Sequence, residues 1–276
     1  MPELPEAETI ARGLDHLARG RRLLKARVLT AGICERRVKF PVGARVRGAS
    51  RRAKKVLLTF EGGATLLISL GMTGQVLRRD GNGLPAHTHL ILTFDRGLEL
   101  LYVDPRRLGR LEPARVATTM LAPAEEVAVW CDGRFGAEPL DTTWPEFKRL
   151  VGGRRKVFKQ LFLDQRPIAG LGNIYADEVL FRAGVYPKAR PADLNDEELK
   201  RVWREMRAVL RQAIRACGTT FRDYRTATGA AGGFVTRLYV YGREGDPCRR
   251  CGKPIVRLNW PTGRSTHYCP TCQPER

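Results

Sequence analysis

The chain has 276 residues, with 49 Lys plus Arg against 29 Asp plus Glu, a formal net charge of +20. That length supports two domains with cores of their own. The basic excess points to a polyanionic partner, nucleic acid rather than membrane, since no apolar run of about 18 residues and no basic amphipathic helix stands out. The N-terminus carries Glu3, Glu6 and Glu8 and lacks a signal-peptide apolar core, so a cytosolic protein is expected.

The first element in chain order is a helix. Pro5 suits its first turn, and Glu6 and Glu8 suit its positive N-terminal end. Ile10, Leu14 and Leu17 then form an apolar stripe that would dock it on a core. Met1 precedes a small residue, so its removal is expected, leaving Pro2 with a free secondary amine beside Glu3. An α-amine titrates near 7.7–8.0 against about 10.4 for lysine, so more of it is neutral at physiological pH. A neutral amine attacks an aldehyde-like carbon, and a secondary amine gives only the charged iminium, a strong electron sink. The alternative is a mobile chain end with no chemistry.

Residues from about Arg22 to Asp104 read as strands. Val56 to Phe60 and Ala64 to Leu70 flank Gly62-Gly63, a hairpin signal. Leu90 to Phe94 and Leu98 to Val103 flank Asp95-Arg96-Gly97, a second one. An antiparallel sandwich or barrel follows. The stretch from Pro113 to Pro145 is rich in Ala, Pro and Gly and reads as the crossing to a helical domain. There, Lys156 to Asp164 has a short apolar pattern. Asn173 is placed to cap a helix that Gly184 ends, and Asn195 with Glu198 forms a capping-box-like pair before a longer helix stopped by Gly218. A glycine-rich loop follows at Thr228 to Gly233, and Leu238 to Tyr241 reads as a strand leading to a cysteine-rich tail.

Cys248-x2-Cys251 and Cys269-x2-Cys272 fit a four-thiolate zinc site, with disulfides as the alternative. Four sulfur ligands leave no open position, so that zinc is structural. Lys253, Arg257, Asn259 and Arg264 lie between the pairs, either facing phosphates or forming a solvated basic surface. Cys34, Cys131 and Cys217 are scattered and read as buried thiols. Gly170-Leu171-Gly172-Asn173 before a helix is either a phosphate seat or only a turn. Arg51-Arg52-Ala53-Lys54-Lys55 is a charge run of the kind usually solvated. Leu108, in the basic loop Asp104 to Arg110, and Met72, in the turn Gly71 to Gly74, each either wedge into a base stack or tuck into the core.

Taken together, Pro2-Glu3-Leu4-Pro5-Glu6, Arg51-Arg52-Ala53-Lys54, Leu70-Gly71-Met72-Thr73-Gly74, Asp104-Pro105-Arg106-Arg107, Gly170 to Ala176, Val240-Tyr241-Gly242-Arg243 and the cysteine module make the chain resemble the bacterial formamidopyrimidine-DNA glycosylase family along its whole length. The resemblance implies an α+β multidomain protein. A catalytic N-terminal β-sandwich with its helix would span 1–132. A helical DNA-binding domain with a helix–two-turn–helix would span 133–237, and a zinc hairpin 238–276.

It further implies a monomer that binds damaged double-stranded DNA in a basic cleft, excises oxidised purines such as 8-oxoguanine and formamidopyrimidines, and then cuts the strand. Pro2 would be the nucleophile, Glu3 the acid/base, Glu6 a supporting carboxylate and Lys54 a participant in β-elimination. Arg264 would grip phosphates and assist δ-elimination. His87, Arg154 and Asn173 match phosphate contacts, and Tyr241 lies in a DNA-binding motif. Met72, Arg106 and Leu108 match the residues that fill the void left by a flipped nucleotide, and the loop from about Thr219 to Phe234 would cover the extruded base. One structural zinc on Cys248, Cys251, Cys269 and Cys272, and no catalytic metal, is implied.

Two positions depart from the family pattern. Leu108 stands where many relatives carry Phe, and Ser69 where many carry His. The alternatives are an endonuclease VIII-like enzyme for oxidised pyrimidines, and a zinc-dependent DNA-binding protein without activity.

Overall fold

The computed structural model describes residues 2–30, 33, 39–81, 83–113, 131, 133–259 and 264–275. Cys34 and most of the Pro113–Pro145 crossing lie outside them. The chain divides into two compact units, 1–134 with 214–235, and 135–213 with 236–276.

The first unit opens with α1 (Leu4–Ala18), with Pro5 in its first turn. Its strands are β1 (Leu23–Val28), β2 (Val46–Arg52), β3 (Lys55–Phe60), β4 (Thr65–Ser69), β5 (Gln75–Arg78), β6 (Thr88–Phe94), β7 (Glu99–Val103) and β8 (Arg110–Pro113). They form two four-stranded sheets, ordered β1-β6-β7-β5 and β2-β3-β4-β8. Every named pairing is antiparallel. Both expected hairpins are present, β3–β4 around Gly62-Gly63 and β6–β7 around Asp95-Arg96-Gly97.

Alternation with period two sends Val56, Leu58 and Phe60 from one sheet and Leu90, Leu92 and Phe94 from the other into a single core. Ile10 and Leu14 of α1 are fully buried in it, and Leu17 packs at its margin. Each such side chain contributes about 1.5–3 kcal/mol by leaving water. Tyr224 and Ala227, from the stretch after the long helix, belong to the same core.

The second unit holds α2 (Trp144–Val151), α3 (Phe158–Leu163), α4 (Asn173–Ala183) and most of α5 (Asp196–Arg215), with a two-stranded sheet of β9 (Val256–Asn259) and β10 (Ser265–Tyr268). Thr143 caps α2 by accepting the Glu146 N–H, and Gly184 ends α4 at φ 69°. Asn195 and Glu198 form the expected reciprocal pair at the start of α5, at 3.1 and 3.0 Å.

Three expectations need correction. Gly172, not Asn173, is the N-cap of α4, and the Asn173 side chain reaches away from the helix to the Ser265 carbonyl at 2.9 Å. Leu238 to Tyr241 is not a strand, because its N–H groups go to a carboxylate rather than to a ladder. Cys131 is buried as expected, but Cys217 is exposed, in a turn at φ 58°.

Candidate active site and nucleic-acid interface

Pro2, Glu3 and Glu6 are all buried at the start of α1. Glu6 spends both carboxylate oxygens on backbone donors. Oε2 accepts the Glu3 N–H at 2.8 Å, and Oε1 accepts the Thr219 N–H at 2.7 Å. The second bond spans 213 residues of sequence and ties the N-terminus to the stretch after α5. Gly218 makes it possible. It sits at φ 80°, and a Cβ there would meet Glu6 Oε1 at 2.8 Å. Tyr224 lies beside this carboxylate and donates its hydroxyl to the Cys217 carbonyl at 3.1 Å. Burial first, and the Glu6 charge second, hold its phenol above the usual range.

Lys54 is half-buried in the two-residue turn between β2 and β3, next to Ala53 at φ 53°. The expected solvated charge run is latched instead. Arg51 is largely buried, pairs with Glu8 of α1 at 3.0 Å and donates to the Ala53 carbonyl at 2.9 Å. Burial raises the Glu8 pKa, but the hydrogen bonds from Arg12 and Arg51 outweigh it and hold the carboxyl below its ordinary value. Lys55, the next residue, donates to Ser69 Oγ at 2.7 Å.

Met72 and Leu108 do not tuck into the core. They are 43% and 52% exposed, on two turns that touch. A Cβ on Gly71, at φ 56°, would lie 2.5 Å from the Gly109 nitrogen, so the turns meet backbone to backbone.

Asp104, fully buried, organises both turns. Its Oδ1 accepts the Thr73 hydroxyl at 2.5 Å and the Arg106 N–H at 3.3 Å, and its Oδ2 accepts the Gly109 N–H at 2.7 Å. Its N–H donates to the His87 carbonyl at 3.0 Å, and its own carbonyl lies 2.9 Å from His89 Nε2. Four of the interface residues expected from sequence, Met72, His87, Arg106 and Leu108, therefore sit on turns held by one carboxylate residue. Arg106 also lies in the field of Asp223, whose carboxyl is held low mainly by its hydrogen bond from Arg222 and in smaller part by Arg106. The 219–234 loop is fixed there by Gln75, which donates to the Asp223 carbonyl at 2.6 Å, and by Arg78 N–H to Ala227 O at 2.8 Å.

In the second unit, Arg154 is exposed between α2 and α3 and donates its Nε to the Leu150 carbonyl at 2.6 Å. Asn173 begins α4 and holds Ser265, the residue after the exposed Arg264. The Tyr241 ring packs edge-on against His267 at 5.0 Å. Glu178 of α4 is buried and accepts the N–H groups of Tyr239, Val240 and Tyr241 at 2.9 Å each. Burial pushes its carboxyl pKa up, although those three donors pull it down.

The four tail cysteines bring their sulfurs within 4.8 Å of one another. Cys248 and Cys272 Sγ are 3.9 Å apart, and Cys251 and Cys269 Sγ 3.5 Å. A tetrahedral zinc with bonds of about 2.3 Å needs sulfur separations of about 3.8 Å, so the donor set fits. The Lys253 N–H beside Cys251 lowers that thiol to about 7, while burial raises Cys269 and Cys272. A bound zinc would deprotonate all four.

Sequence reading passed over Asp104 and Glu178 as site-building residues. Asp104 had a local signal, since Asp before Pro favours a side-chain-closed turn. Glu178 had none, because its donors lie more than 60 positions away.

A sandwich packed on an N-terminal helix that a buried Pro2 precedes, in a chain that also carries a helical unit and a thiolate hairpin, defines a zinc-finger protein of the helix–two-turn–helix class. Family models match in that order. The formamidopyrimidine-DNA glycosylase N-terminal domain matches residues 1–111, its H2TH domain 135–225, and the zinc finger found in FPG and IleRS 245–274. The formamidopyrimidine-DNA glycosylase of Heliobacterium modesticaldum is 40% identical, covering 99% of this chain and 100% of its own. The MutM (Fpg) crystal structure from Thermus thermophilus superposes with a TM-score of 0.85 at 39% identity, over 100% of both chains. Lactococcus lactis Fpg bound to DNA with N7-benzyl-Fapy-dG gives 0.87 at 29% identity, over 99% and 100%. The chain belongs to the formamidopyrimidine-DNA glycosylase family.

Proposed function

We propose that this chain is a base-excision-repair glycosylase with abasic-site lyase activity, acting on oxidised purines in duplex DNA. The observation that carries the reading is the buried Pro2-Glu3 pair at the start of α1, held by Glu6. The Pro2 amine attacks the sugar C1′, and the glycosidic bond breaks with release of the base. The product is an iminium, and Glu3 moves the proton that opens the sugar ring. The iminium acidifies the C2′ proton. Its loss expels the 3′ phosphate, and a second elimination, assisted by Arg264, expels the 5′ phosphate. Lys54 acts in the first elimination. Neither elimination calls for a redox or Lewis-acid step, so the zinc has a structural role only.

Glycosidic chemistry needs the nucleotide out of the stack, at a cost of a few kcal/mol. Met72, Arg106 and Leu108 fill the gap, and Arg106 reads the orphaned base. Leu108 is smaller than phenylalanine and cannot stack, so its wedge is the weaker one. His87, Arg154, Asn173, Tyr241 and Arg264 hold phosphates. The working division is 1–132 for catalysis, 133–237 for DNA binding and 238–276 for the zinc hairpin, in a cytoplasmic monomer.

Borohydride trapping tests the reading on duplexes with 8-oxoguanine or 5-hydroxycytosine, using the native chain and Pro2→Gly. A covalent adduct on 8-oxoguanine opposite cytosine, strongly reduced in the variant, is expected. An adduct only on the oxidised pyrimidine would move the substrate class. Tight binding without any adduct would make the protein a reader of damage instead.

A further inference from the structure

Asp177 lies fully buried one turn into α4 and, like Glu6, uses both oxygens. Oδ1 accepts Lys159 Nζ at 2.5 Å. Oδ2 accepts the His267 backbone N–H at 2.9 Å, with His267 Nδ1 3.4 Å away. Lys159, 1% exposed, also donates to the Asn173 carbonyl at 2.9 Å. One turn back on the same helix face, Asn173 holds Ser265. So β10 is pinned to α4 at two alternate residues, Ser265 and His267, and Arg264 is the residue before the first pin. The neighbouring Glu178 holds Tyr241, whose ring rests on His267.

A buried Lys–Asp pair is a poor way to gain stability, since apolar residues of similar volume often serve as well. It is a good way to fix a position, because a carboxylate satisfied by a lysine and a strand N–H tolerates one geometry. We propose that Asp177 is a positioning residue for strand cleavage. Through β10 it sets where Arg264 leaves the zinc hairpin, and with Asn173 and Tyr241 it aligns the phosphate grip that the second elimination needs. The inference rests on the proposed lyase activity. Displacements of about 1 Å in such machinery can cost about 100-fold in rate.

The test compares Asp177→Asn, Arg264→Ala and the two combined, on an abasic duplex. Readouts are zinc content, borohydride trapping, the ratio of δ- to β-elimination products, and affinity for a tetrahydrofuran-containing duplex. Asp177→Asn should keep one zinc per chain, lower the δ-to-β ratio by about tenfold, within the range such misplacement allows, and reduce trapping by less. In the Arg264→Ala background it should add no further change to the ratio. An unchanged ratio and affinity in the zinc-loaded variant would overturn the proposal, as would additive effects with Arg264→Ala.

A second variant, Lys159→Met with Asp177→Leu, fills the site with apolar groups and removes the strand acceptor. A folded, zinc-loaded double variant with the same low ratio supports the proposal. A normal ratio, or failure of this filled core to fold, would show a purely structural pair. If the wild type forms no adduct, the lyase reading fails, and the affinity arm still decides whether Asp177 sets the phosphate grip.

Discussion

Glu6 and Asp104 solve the same problem at different places. Each is a buried carboxylate that accepts backbone N–H groups on both of its oxygens. Such a group fixes the chain that donates to it. Glu6→Gln replaces one acceptor oxygen by an amide NH2, which then faces a buried N–H. An unpaired buried donor costs about 1–3 kcal/mol. The variant should melt at a lower temperature and form the borohydride-trapped adduct about tenfold more slowly, and an unaltered trapping time course would count against Glu6 as a support. Asp104→Ala strips the acceptor from the Arg106 and Gly109 N–H groups and from the Thr73 hydroxyl. A loss of about 2–4 kcal/mol in stability is expected, with weaker unstacking of a 2-aminopurine placed beside the lesion. Glu8 gives a pH prediction. Its carboxyl pKa is lowered in the folded chain, so its contribution is present above the unfolded value of 4.5 and fades as pH falls through the folded value. Urea melts of Glu8→Gln and the native chain should differ at pH 7, and the gap should narrow steadily as pH falls below the unfolded value of 4.5; a gap that does not narrow on acidification would show another origin.

At the level of elements, the zinc hairpin can be removed by chemistry alone. Its ligands must be thiolates, so acid and chelators compete for it. A strong chelator should release one zinc per chain and weaken duplex binding by more than tenfold, and added zinc should restore it; retained affinity after metal loss would detach the hairpin from DNA binding. This module was readable from sequence because its signal is local, two Cys-x2-Cys pairs at fixed spacing. The two hairpins were readable for the same reason, since two-residue alternation and glycine turns act within about ten residues. Leu238 to Tyr241 misled because alternating apolar and aromatic residues suit a strand, while the deciding partner, Glu178, lies 61–63 positions back. Asn173 misled likewise. Its type favours a cap, but a carbonyl 92 positions on takes its side chain. Candidate site residues were legible as a set through motif order. What holds them in place, Asp104, Asp177 and Glu178, was not, because each works by contacts that only the fold creates.

For the whole molecule the governing quantity is charge. A net charge of +20 on 276 residues exceeds what solubility asks of a small domain, about 2–8 in magnitude. Some basic residues are matched one-to-one by internal carboxylates, as with Arg51 and Glu8 or Lys159 and Asp177, which leaves the surplus itself unchanged. His87, Arg106, Arg154 and Arg264 are instead exposed. Each phosphate neutralised by such a group releases condensed counterion, and the release lowers log K by about 0.9 per unit of log salt. With about six phosphates held, the slope should be near −5. Replacing Arg264 or Arg154 by Ala should each make it shallower by about one, with similar effect on lesion-bearing and intact duplexes. Leu108→Ala should leave the slope alone and weaken binding only where a nucleotide is missing or flipped, because a wedge touches bases and not phosphates. Fluorescence anisotropy across a salt series separates the two. A slope near zero for the native chain would mean that its basic surface does not grip the backbone, and equal slope changes for Leu108→Ala and Arg264→Ala would mean that the wedge and the phosphate grip cannot be told apart.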